Sequence, residues 1–378
     1  MRVPPVALNG SRLLLGSALV AVLGCTGTES GNPMVSDAAP RDSGGGGGDA
    51  SGGGDGGAGM DAGAVDSGIP ACTLTESGPL VAERDGQVFE RLHITSTSGI
   101  AITIRDRSNV VVRDCWIEHA GGAGISFSNA PGVRIENVVV DHVGAPAAGA
   151  NPNDGLNNID GEFSDGVVIT NVRLSRGSSG VYLNRCAAAQ VSWLEGHDFR
   201  GPFPRGQVVQ LNHCDDAVLE DFSGENPPAT SWPEDSVSVF QSSRVTVRRG
   251  LLDGNNAPSG VGVMFEMSDG KSAGGLCEDV DTLRMGNGCF SGYPGRGVTF
   301  RRTRARDNIC SDQGRGAPLS GGLAWAGSPE SSALRIEASS YHSLCAGIVW
   351  SEAVFDTVEL TDTDFTPRAP LRLAFCWE

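Results

Sequence analysis

An internal repeat constrains the fold of this sequence more than any other feature. Residues 109–122 and 132–145 carry one pattern, so that Val110 corresponds to Val133 at an offset of 23 residues, and a third copy begins at Gly166. Within each copy, apolar residues alternate with polar ones, which is the period of a strand with one buried face. A unit this short buries its apolar row only against its neighbours, so the sequence predicts a solenoid.

A second, shorter strand is predicted about eight residues before each long one, and helical spacing is absent, so the domain is predicted to be all-β. Pairs of apolar residues mark the short strands at Ile102/Ile104, Ile125/Phe127, Val181/Leu183, Val209/Leu211, Val237/Val239, Val261/Val263, Leu323/Trp325 and Ile348/Trp350. Further long-strand copies start at Val245, Val298, Leu334 and Val358.

Two to three short strands per turn, no helices and an inward Val/Ile/Leu row resemble the right-handed parallel β-helix of pectate lyases, polygalacturonases and related exported proteins. The resemblance covers residues 86–365 and implies a solenoid of about ten coils. It also implies that Asp114, Asn137 and Asn171 form a ladder of stacked polar side chains. A β-propeller is the alternative, but its blades need about 40 residues and four antiparallel strands.

The N-terminus carries an export signal. Arg2 and Arg12 precede the apolar run 13–23, which is too short to cross a bilayer and is typical of a secretory signal over residues 1–24. The segment Val22-Leu23-Gly24-Cys25 resembles the lipobox of bacterial lipoproteins, which implies acylation of Cys25 and a membrane anchor. The alternative is an ordinary signal with a chance cysteine. We therefore expect export, with lipid anchoring to a bacterial membrane, facing the periplasm or the cell exterior.

Residues 25–70 are predicted to be a disordered tether that separates the anchor from a β-helix domain over residues 71–378. The tether is rich in Gly, Asp and Ser, has no apolar periodicity, and as a flexible coil would span roughly 35–40 Å. The formal net charge of the whole chain is −17, which argues against nucleic acid as a partner. We expect a monomer.

The chain has ten cysteines, nine of them without Cys25, so at least one exported thiol is free or paired between chains. The absence of a C-x-x-C motif argues against structural zinc. Cys186 and Cys214 end two similar segments, LNRC and LNHC, 28 residues apart. These segments are predicted to be the same strand on successive coils, with both cysteines buried at a separation that a disulfide tolerates.

Long insertions enter neighbouring coils at residues 144–158, 196–206 and 224–235, and such loops on a solenoid usually mark its binding face. Their aromatic and arginine side chains suit the apolar faces and hydroxyls of sugars; they are Phe199, Arg200, Phe203, Arg205 and Trp232. With the outward residues of the neighbouring strands, the predicted substrate-binding residues are Tyr182, Asn184, Gln210, Asn212, Trp232 and Arg205. Loops that merely cover an edge are the alternative.

Glycoside hydrolysis requires two carboxylates, one protonated and one ionised. Asp160, Glu234 and Asp235 are the candidates, with Glu162 beside them. Residues 158–161, NIDG, resemble the N-T-D-G motif of polygalacturonases, and Glu234 and Asp235 begin a segment similar to their D-D-x-I-x-I strand. The G-H-G and R-I-K motifs of that family are absent, so the chain is not predicted to be a polygalacturonase.

A lyase would instead need a base beside a uronate, and Arg185 and His213 on adjacent coils are the candidates. No residue is assigned as a metal ligand, and Ca²⁺ is the one candidate cofactor. The oxygen-rich segment 151–166 is a candidate Ca²⁺ site, although Leu156 stands where an EF-hand needs an acid. The sequence thus indicates a surface lipoprotein whose β-helix recognises a polysaccharide and cleaves it as a hydrolase or lyase. The alternative is a non-catalytic structural or adhesive β-helix.

Overall fold

The computed structural model describes residues 71–147, 154–201, 205–257, 260–309, 317–321, 330–342, 349–350, 355–361 and 364–378. The predicted signal peptide, Cys25 and the tether lie outside these residues. The strands of the described part pair in parallel and form two sheets. No helix capable of crossing a membrane occurs in the described part of the chain.

Within the described residues, one sheet contains fourteen strands, most of them long. Its members are β1 (Thr75–Ser77), β3 (Val88–Glu90), β4 (Leu92–Ser96), β6 (Val111–His119), β8 (Arg134–His142), β10 (Val168–Ser175), β12 (Gln190–His197), β14 (Val218–Glu225), β16 (Val245–Asn255), β18 (Gly275–Met285), β20 (Val298–Arg301), β21 (Arg304–Arg306), β23 (Leu334–Tyr341) and β25 (Phe355–Leu360).

The other sheet contains eleven short strands in the part of the chain that the structure describes. They are β2 (Leu80–Val81), β5 (Ile102–Arg105), β7 (Ile125–Ser128), β9 (Ile159–Glu162), β11 (Val181–Asn184), β13 (Val209–Asn212), β15 (Val237–Phe240), β17 (Val261–Glu266), β19 (Gly288–Gly292), β22 (Ala317–Gly321) and β24 (Val349–Trp350). From β4 to β20 the chain alternates between the two sheets, so each coil contributes one strand to each, and the predicted solenoid is confirmed.

The core is a set of vertical columns of apolar side chains. In one column Ile159 pairs with Val181, Val181 with Val209 and Val209 with Val237, and all four are fully buried. Residues one position along each strand point outward, because strand side chains alternate. The inward rows therefore hold the coils together, while the outward rows of the short-strand sheet are available to form a surface.

The long strands turn a corner at residues in the left-handed backbone region, and the predicted polar ladder occupies that corner. Asp114, Asn137 and Asn171 have φ of 53°, 57° and 53°. Asn137 Nδ2 donates to Asp114 Oδ1 at 2.5 Å, and Asn171 Nδ2 donates to Asn137 Oδ1 at 2.7 Å. Asn and Asp tolerate this backbone region better than other side chains do, so the ladder both fits the corner and ties coils together.

Strands β9, β12 and β18 were not predicted from the sequence. The alternation is weak in β12 and β18, and β9 has only Ile159 as an inward apolar residue because Gly161 fills its second inward place. A strand was expected at Leu323 and Trp325; the structure has β22 earlier, and both residues lie outside the described part.

Cys186 and Cys214 are buried on successive coils, as predicted, but they are free thiols and not a disulfide. The backbone N–H of Cys186 donates to the sulfur of Cys214 at 3.4 Å. Both cysteines therefore belong to the core of the solenoid.

The C-terminal residues 365–378 form a strap along the outside of the long-strand sheet. Its backbone amides bond to outward side chains of the long strands: the amide of Arg368 donates to Asp281 of β18 at 2.7 Å and that of Leu373 to Glu195 of β12 at 2.8 Å. Asp281 and Glu195 point away from the core, yet both are buried because the strap covers them.

A disulfide fixes the end of the strap to the start of the domain. Cys72 and Cys376 are bonded, and the Cys72 amide also donates to the Cys376 carbonyl at 2.9 Å. The bond closes a loop with a sequence separation of 304 residues. Such a long loop gives the crosslink a large effect on the unfolded chain.

Replacing Cys72 and Cys376 together by Ala should lower the free energy of unfolding by about 2–5 kcal/mol, because the unfolded chain regains the loop entropy. Thermal unfolding followed by circular dichroism would measure the change. A reducing agent should lower the Tm of the natural protein by a similar amount. An unchanged Tm in both experiments would contradict a stabilising role for this crosslink.

Candidate functional site

The outward face of strands β9 to β17, bordered along one edge by the insertion loops, is lined with polar and aromatic residues, and we call it the trough. Asp160, Tyr182, Gln210 and Ser238 occupy one row at successive coils. A second row, two positions along the strands, contains Glu162, Asn184, Asn212, Phe240 and Glu266. Four of the residues predicted to bind substrate, Tyr182, Asn184, Gln210 and Asn212, therefore lie on one face. Their common register explains why residues far apart in sequence meet.

The three insertions stand together along the edge where the short strands begin. Arg200 donates to the carbonyl of Pro146, and the Trp232 amide donates to the Arg200 carbonyl at 2.7 Å. The Glu234 amide donates to the Arg205 carbonyl at 3.0 Å. These bonds join the loops into one wall, which positions Arg205, Trp232 and Glu234 beside the trough.

Phe199 does not belong to this wall, and its expected exposure on the loop is wrong. The ring is fully buried and packs where Gly180 and Gly196 lack side chains. It closes the core beneath the loop. Trp232 is partly exposed, and Phe203 lies outside the described residues.

Arg205, Tyr182, Asn212 and Gln210 make one connected group on the floor of the trough. The Arg205 guanidinium lies over the Tyr182 ring at 4.9 Å from its centroid. Asn212 Nδ2 donates to Tyr182 Oη at 2.9 Å, and Gln210 Nε2 donates to Asn212 Oδ1 at 2.6 Å. These contacts hold a ring, a cation and two amides in fixed relative positions.

A buried hydrogen-bond ladder connects Asp160 to Glu234 across four successive coils. Asn157 Nδ2 donates to Asp160 Oδ2 at 2.9 Å, and the Ser179 amide donates to Asn157 Oδ1 at 3.1 Å. Ser179 Oγ donates to Gln207 Oε1 at 2.7 Å, and Gln207 Nε2 donates to Glu234 Oε2 at 3.1 Å. The positive charge of Arg205 also lowers the pKa of both carboxyl groups. The structure thus joins two of the predicted catalytic acids in one network.

Burial keeps several of these carboxyl groups protonated at unusually high pH. It raises the pKa of Glu234 to about 7, against the lowering effect of Arg205. Burial and the charge of Glu234 raise the pKa of Glu266 to about 7. Burial also raises the pKa of Asp160, partly offset by the Asn157 hydrogen bond. Near neutral pH, the trough therefore contains carboxyl groups able to donate a proton.

Asp235 is placed differently from the other acids. It is 4% exposed, and its Oδ1 accepts the Val261 amide at 3.0 Å. Burial, and then the charge of Glu234, raise the pKa of Asp235 well above its usual range. It lies behind Glu234 in the wall and does not face the trough. Its bond to the Val261 amide joins the end of the third insertion to strand β17.

Arg185 and His213 lie at the opposite edge of the trough from Glu234. Both follow the last residue of a short strand in left-handed conformation and are exposed. Arg185 lies over the Phe163 ring at 5.1 Å, and His213 meets the Phe240 ring edge at 6.0 Å. A four-residue strand, about 10 Å long, separates this edge from the loop wall.

Two stacked histidines anchor the first insertion. The rings of His119 and His142 lie 4.6 Å apart, and His142 Nε2 is 2.6 Å from Asp154 Oδ2. Asp154 also accepts the Leu156 amide at 3.0 Å. Across the described ranges, no cluster of three or more His, Cys, Asp or Glu side chains is placed to hold a metal ion. Part of the candidate calcium segment, residues 151–153, lies outside the described residues.

Sequence reasoning missed Glu266, Gln207 and Ser179. Glu266 pairs with Phe240, and extending the predicted register by one coil would have found it. Ser179 and Gln207 precede their strands by two residues, and the varying loop lengths conceal that they share a position with Asn157.

The comparisons with known proteins agree with this architecture. Residues 50–163 match the family model described as a right handed beta helix region. No curated protein matches the chain. The catalytic domain of a GH87 alpha-1,3-glucanase in complex with nigerose is similar in structure, with a TM-score of 0.57 and 11% identity over 78% of this chain and 61% of that one.

A variant GH87 alpha-1,3-glucanase domain in complex with tetrasaccharides gives a TM-score of 0.54 at 12% identity, over 77% of this chain and 60% of that one. The GH136 lacto-N-biosidase from Eubacterium ramulus gives 0.51 at 11%, over 75% and 62%. This chain therefore spans about three fifths of each. The fold is a right-handed parallel β-helix.

Glu234→Gln and Glu266→Gln should each raise stability at pH 8 by roughly 1–3 kcal/mol, and much less at pH 5. An unfolded Glu ionises near its ordinary pKa, whereas these folded carboxyls hold their protons to about pH 7, so folding loses stability as pH rises between the two values. Glutamine removes that penalty. Tm values measured from pH 5 to 8 would test this.

Glu195→Gln is the matched control of opposite sign. Burial alone would raise the pKa of Glu195, but His197, the Leu373 amide and Arg173 lower it to about 2. Its loss should therefore destabilise the protein at neutral pH. Equal effects of all three substitutions at both pH values would contradict the charge assignments.

Proposed function

We propose that this chain is an exported protein that binds a polysaccharide along the trough and hydrolyses it. The observation that carries the proposal is that Glu234, whose pKa is raised to about 7, shares a hydrogen-bonded network and an arginine neighbour with Asp160. Two carboxyls in different environments, one of them protonated near neutral pH, are one requirement for glycoside hydrolysis. The other is a separation of about 5–9.5 Å, which requires the two side chains to lean toward each other across three strand spacings of about 4.8 Å.

In this proposal Glu234 is the general acid. Its proton passes to the glycosidic oxygen as the bond to the leaving sugar breaks. Asp160, ionised beside Arg205, takes a proton from the attacking water, which is the role that the wider carboxyl separation of inverting enzymes allows. Gln207 and Asn157 orient the two carboxyls by hydrogen bonds.

The floor of the trough suits a sugar chain. The Tyr182 ring offers an apolar face, while Asn184, Gln210 and Asn212 offer amide donors and acceptors for hydroxyl groups. Arg205 is fixed over Tyr182, and its positive charge lowers the pKa of both proposed catalytic acids. Trp232, in the loop wall, is the remaining predicted contact.

Hydrolysis is favoured over elimination by where the bases lie. A lyase would use Arg185 or His213, but both occupy the edge opposite Glu234, and neither has a hydrogen bond or ion pair to a trough carboxylate in the described residues. The similar solved structures include an alpha-1,3-glucanase and a lacto-N-biosidase, both named for activity on glycans. That agreement supports a carbohydrate substrate here.

Glu234→Gln and Asp160→Asn should each reduce cleavage by about 10²–10⁴-fold while polysaccharide binding persists. Activity of the natural protein should fall as pH rises through about 7, because Glu234 then loses its proton. It should also fall in acid, as Asp160 becomes protonated. New reducing ends released from a panel of polysaccharides would measure activity, and affinity electrophoresis would measure binding.

Glu359→Gln, an exposed acid on β25, is the matched control and should leave activity unchanged. Unsaturated uronate products would show that the protein cleaves by elimination and not by hydrolysis. Binding with no product from any polysaccharide would favour the non-catalytic, adhesive alternative, and neither binding nor product would overturn the proposal.

We also propose that the protein is anchored at the cell surface through acylated Cys25, with residues 25–70 as the tether. The support is the lipobox-like segment 22–25 after a short apolar run. Metabolic labelling with a radioactive fatty acid should label the natural protein, and Cys25→Ser should abolish the label and release the protein from the membrane fraction. Labelling of the variant would contradict the assignment.

A further inference from the structure

A second groove lies on a different face of the solenoid, between the strap and the corner of the long-strand sheet. It has a volume of about 430 Å³, and Trp193, Asp221 and Arg249 of successive coils line one side. Residues 368–372 of the strap line the other side. The volume falls within the range of roughly 300–1,000 Å³ that is typical of small-molecule sites.

Trp193 is the unusual residue of this groove. It occupies the corner position that Asn171 holds on the preceding coil, with φ of 51°. Asn or Asp fits that conformation with less strain than an indole does. The side chain is also 50% exposed, and in the described part of the chain its ring makes no hydrogen bond or stacking contact.

Both features of Trp193 cost stability: the left-handed backbone strains the residue, and half of the side chain remains in contact with water. A strained backbone position that holds an exposed aromatic, where the ladder residue would suffice, is a signal of function more than of folding. The ladder of polar side chains at this corner ends at Asn171, because Trp193 on the next coil has no amide to continue it. The indole therefore replaces a hydrogen bond between coils.

The surroundings of Trp193 are rigid. Phe222 lies across Gly250, where a β-carbon would come within 2.1 Å of the ring. Arg249 binds Asp221 through two parallel hydrogen bonds of 2.7 Å. On the strap, the amide of Leu371 donates to Ser223 at 3.2 Å. The indole therefore faces fixed walls.

The polar groups of the groove suit an uncharged ligand. Arg249 is neutralised by Asp221 and Glu220, and Arg368 lies 3.5 Å from Asp279. Arg372, on the strap side, pairs with Glu225, so each arginine that lines the groove has an acidic partner and a uronate gains no unpaired charge. The Nε of Arg368 is buried with no hydrogen-bond partner in the described residues, so it is a donor suited to a ligand hydroxyl.

We propose that this strap groove, with Trp193 as its stacking platform, is a second carbohydrate-binding site, for a neutral saccharide segment. The apolar face of a sugar ring lies on the indole, and its hydroxyls bond to the Arg249–Asp221 pair and to Arg368. The strap, fixed by Cys376, forms one wall of the site. This site is independent of the trough and of its proposed chemistry.

The test follows the indole N–H signals of ¹⁵N-labelled protein during titration with methyl glucoside, methyl galactoside, methyl mannoside and glucuronate. Trp193→Phe assigns the Trp193 signal by its disappearance. At least one neutral glycoside should shift that signal, and glucuronate should not. Failure of every neutral glycoside, or an equal shift with glucuronate, would overturn the proposal.

Two variants separate a binding role from a packing role. Trp193→Asn should keep or raise the Tm, because Asn suits the left-handed corner, and should weaken retention on any polysaccharide bound through this groove by tenfold or more. A lower Tm would show instead that the indole is a packing residue. Glu234→Gln should leave the Trp193 shift intact, so failure of the hydrolase proposal and failure of this one give different results.

Discussion

The register between successive coils is the constraint on which the rest of the structure depends. Backbone hydrogen bonds such as Val181 N–H to the Val208 carbonyl, at 3.0 Å, place each strand directly on the one before. Residues between 17 and 36 positions apart thereby become vertical neighbours. Both the inward columns of the core and the outward rows of the trough follow from this pairing, because a shift by one residue would exchange them.

The same register decides what the sequence could predict. Where the inward positions are Val, Ile or Leu, the repeat could be recognised in the sequence. The ladder of Asp114, Asn137 and Asn171 was predicted from the resemblance to known β-helices, and the structure contains it. The strap could not be foreseen, since its bonds, such as Leu373 to Glu195, join residues 178 positions apart with no repeat between them. The ladder through Gln207 was hidden because the insertions vary in length.

The resemblance of residues 158–161 to a polygalacturonase motif has a structural cause. Gly161 is an inward position, and the Phe127 ring fills the space where its side chain would be, within 2.2 Å of a β-carbon. Asp160 points outward by strand alternation alone. Asp235 likewise matches a motif position but is buried behind Glu234. Core packing therefore explains the glycine of the motif, and only the outward acids are evidence for a catalytic role.

The trough and the strap groove share one energetic argument. Glu234 and Glu266 have raised pKa values, so their ionisation opposes folding, and Trp193 combines exposure with a left-handed backbone. Each is costly for the fold, yet each is held by neighbouring coils whose buried columns supply a large stability. A solenoid suits such residues, because its core and its surface rows are separate sets, and a side chain that serves a ligand displaces no side chain of the core.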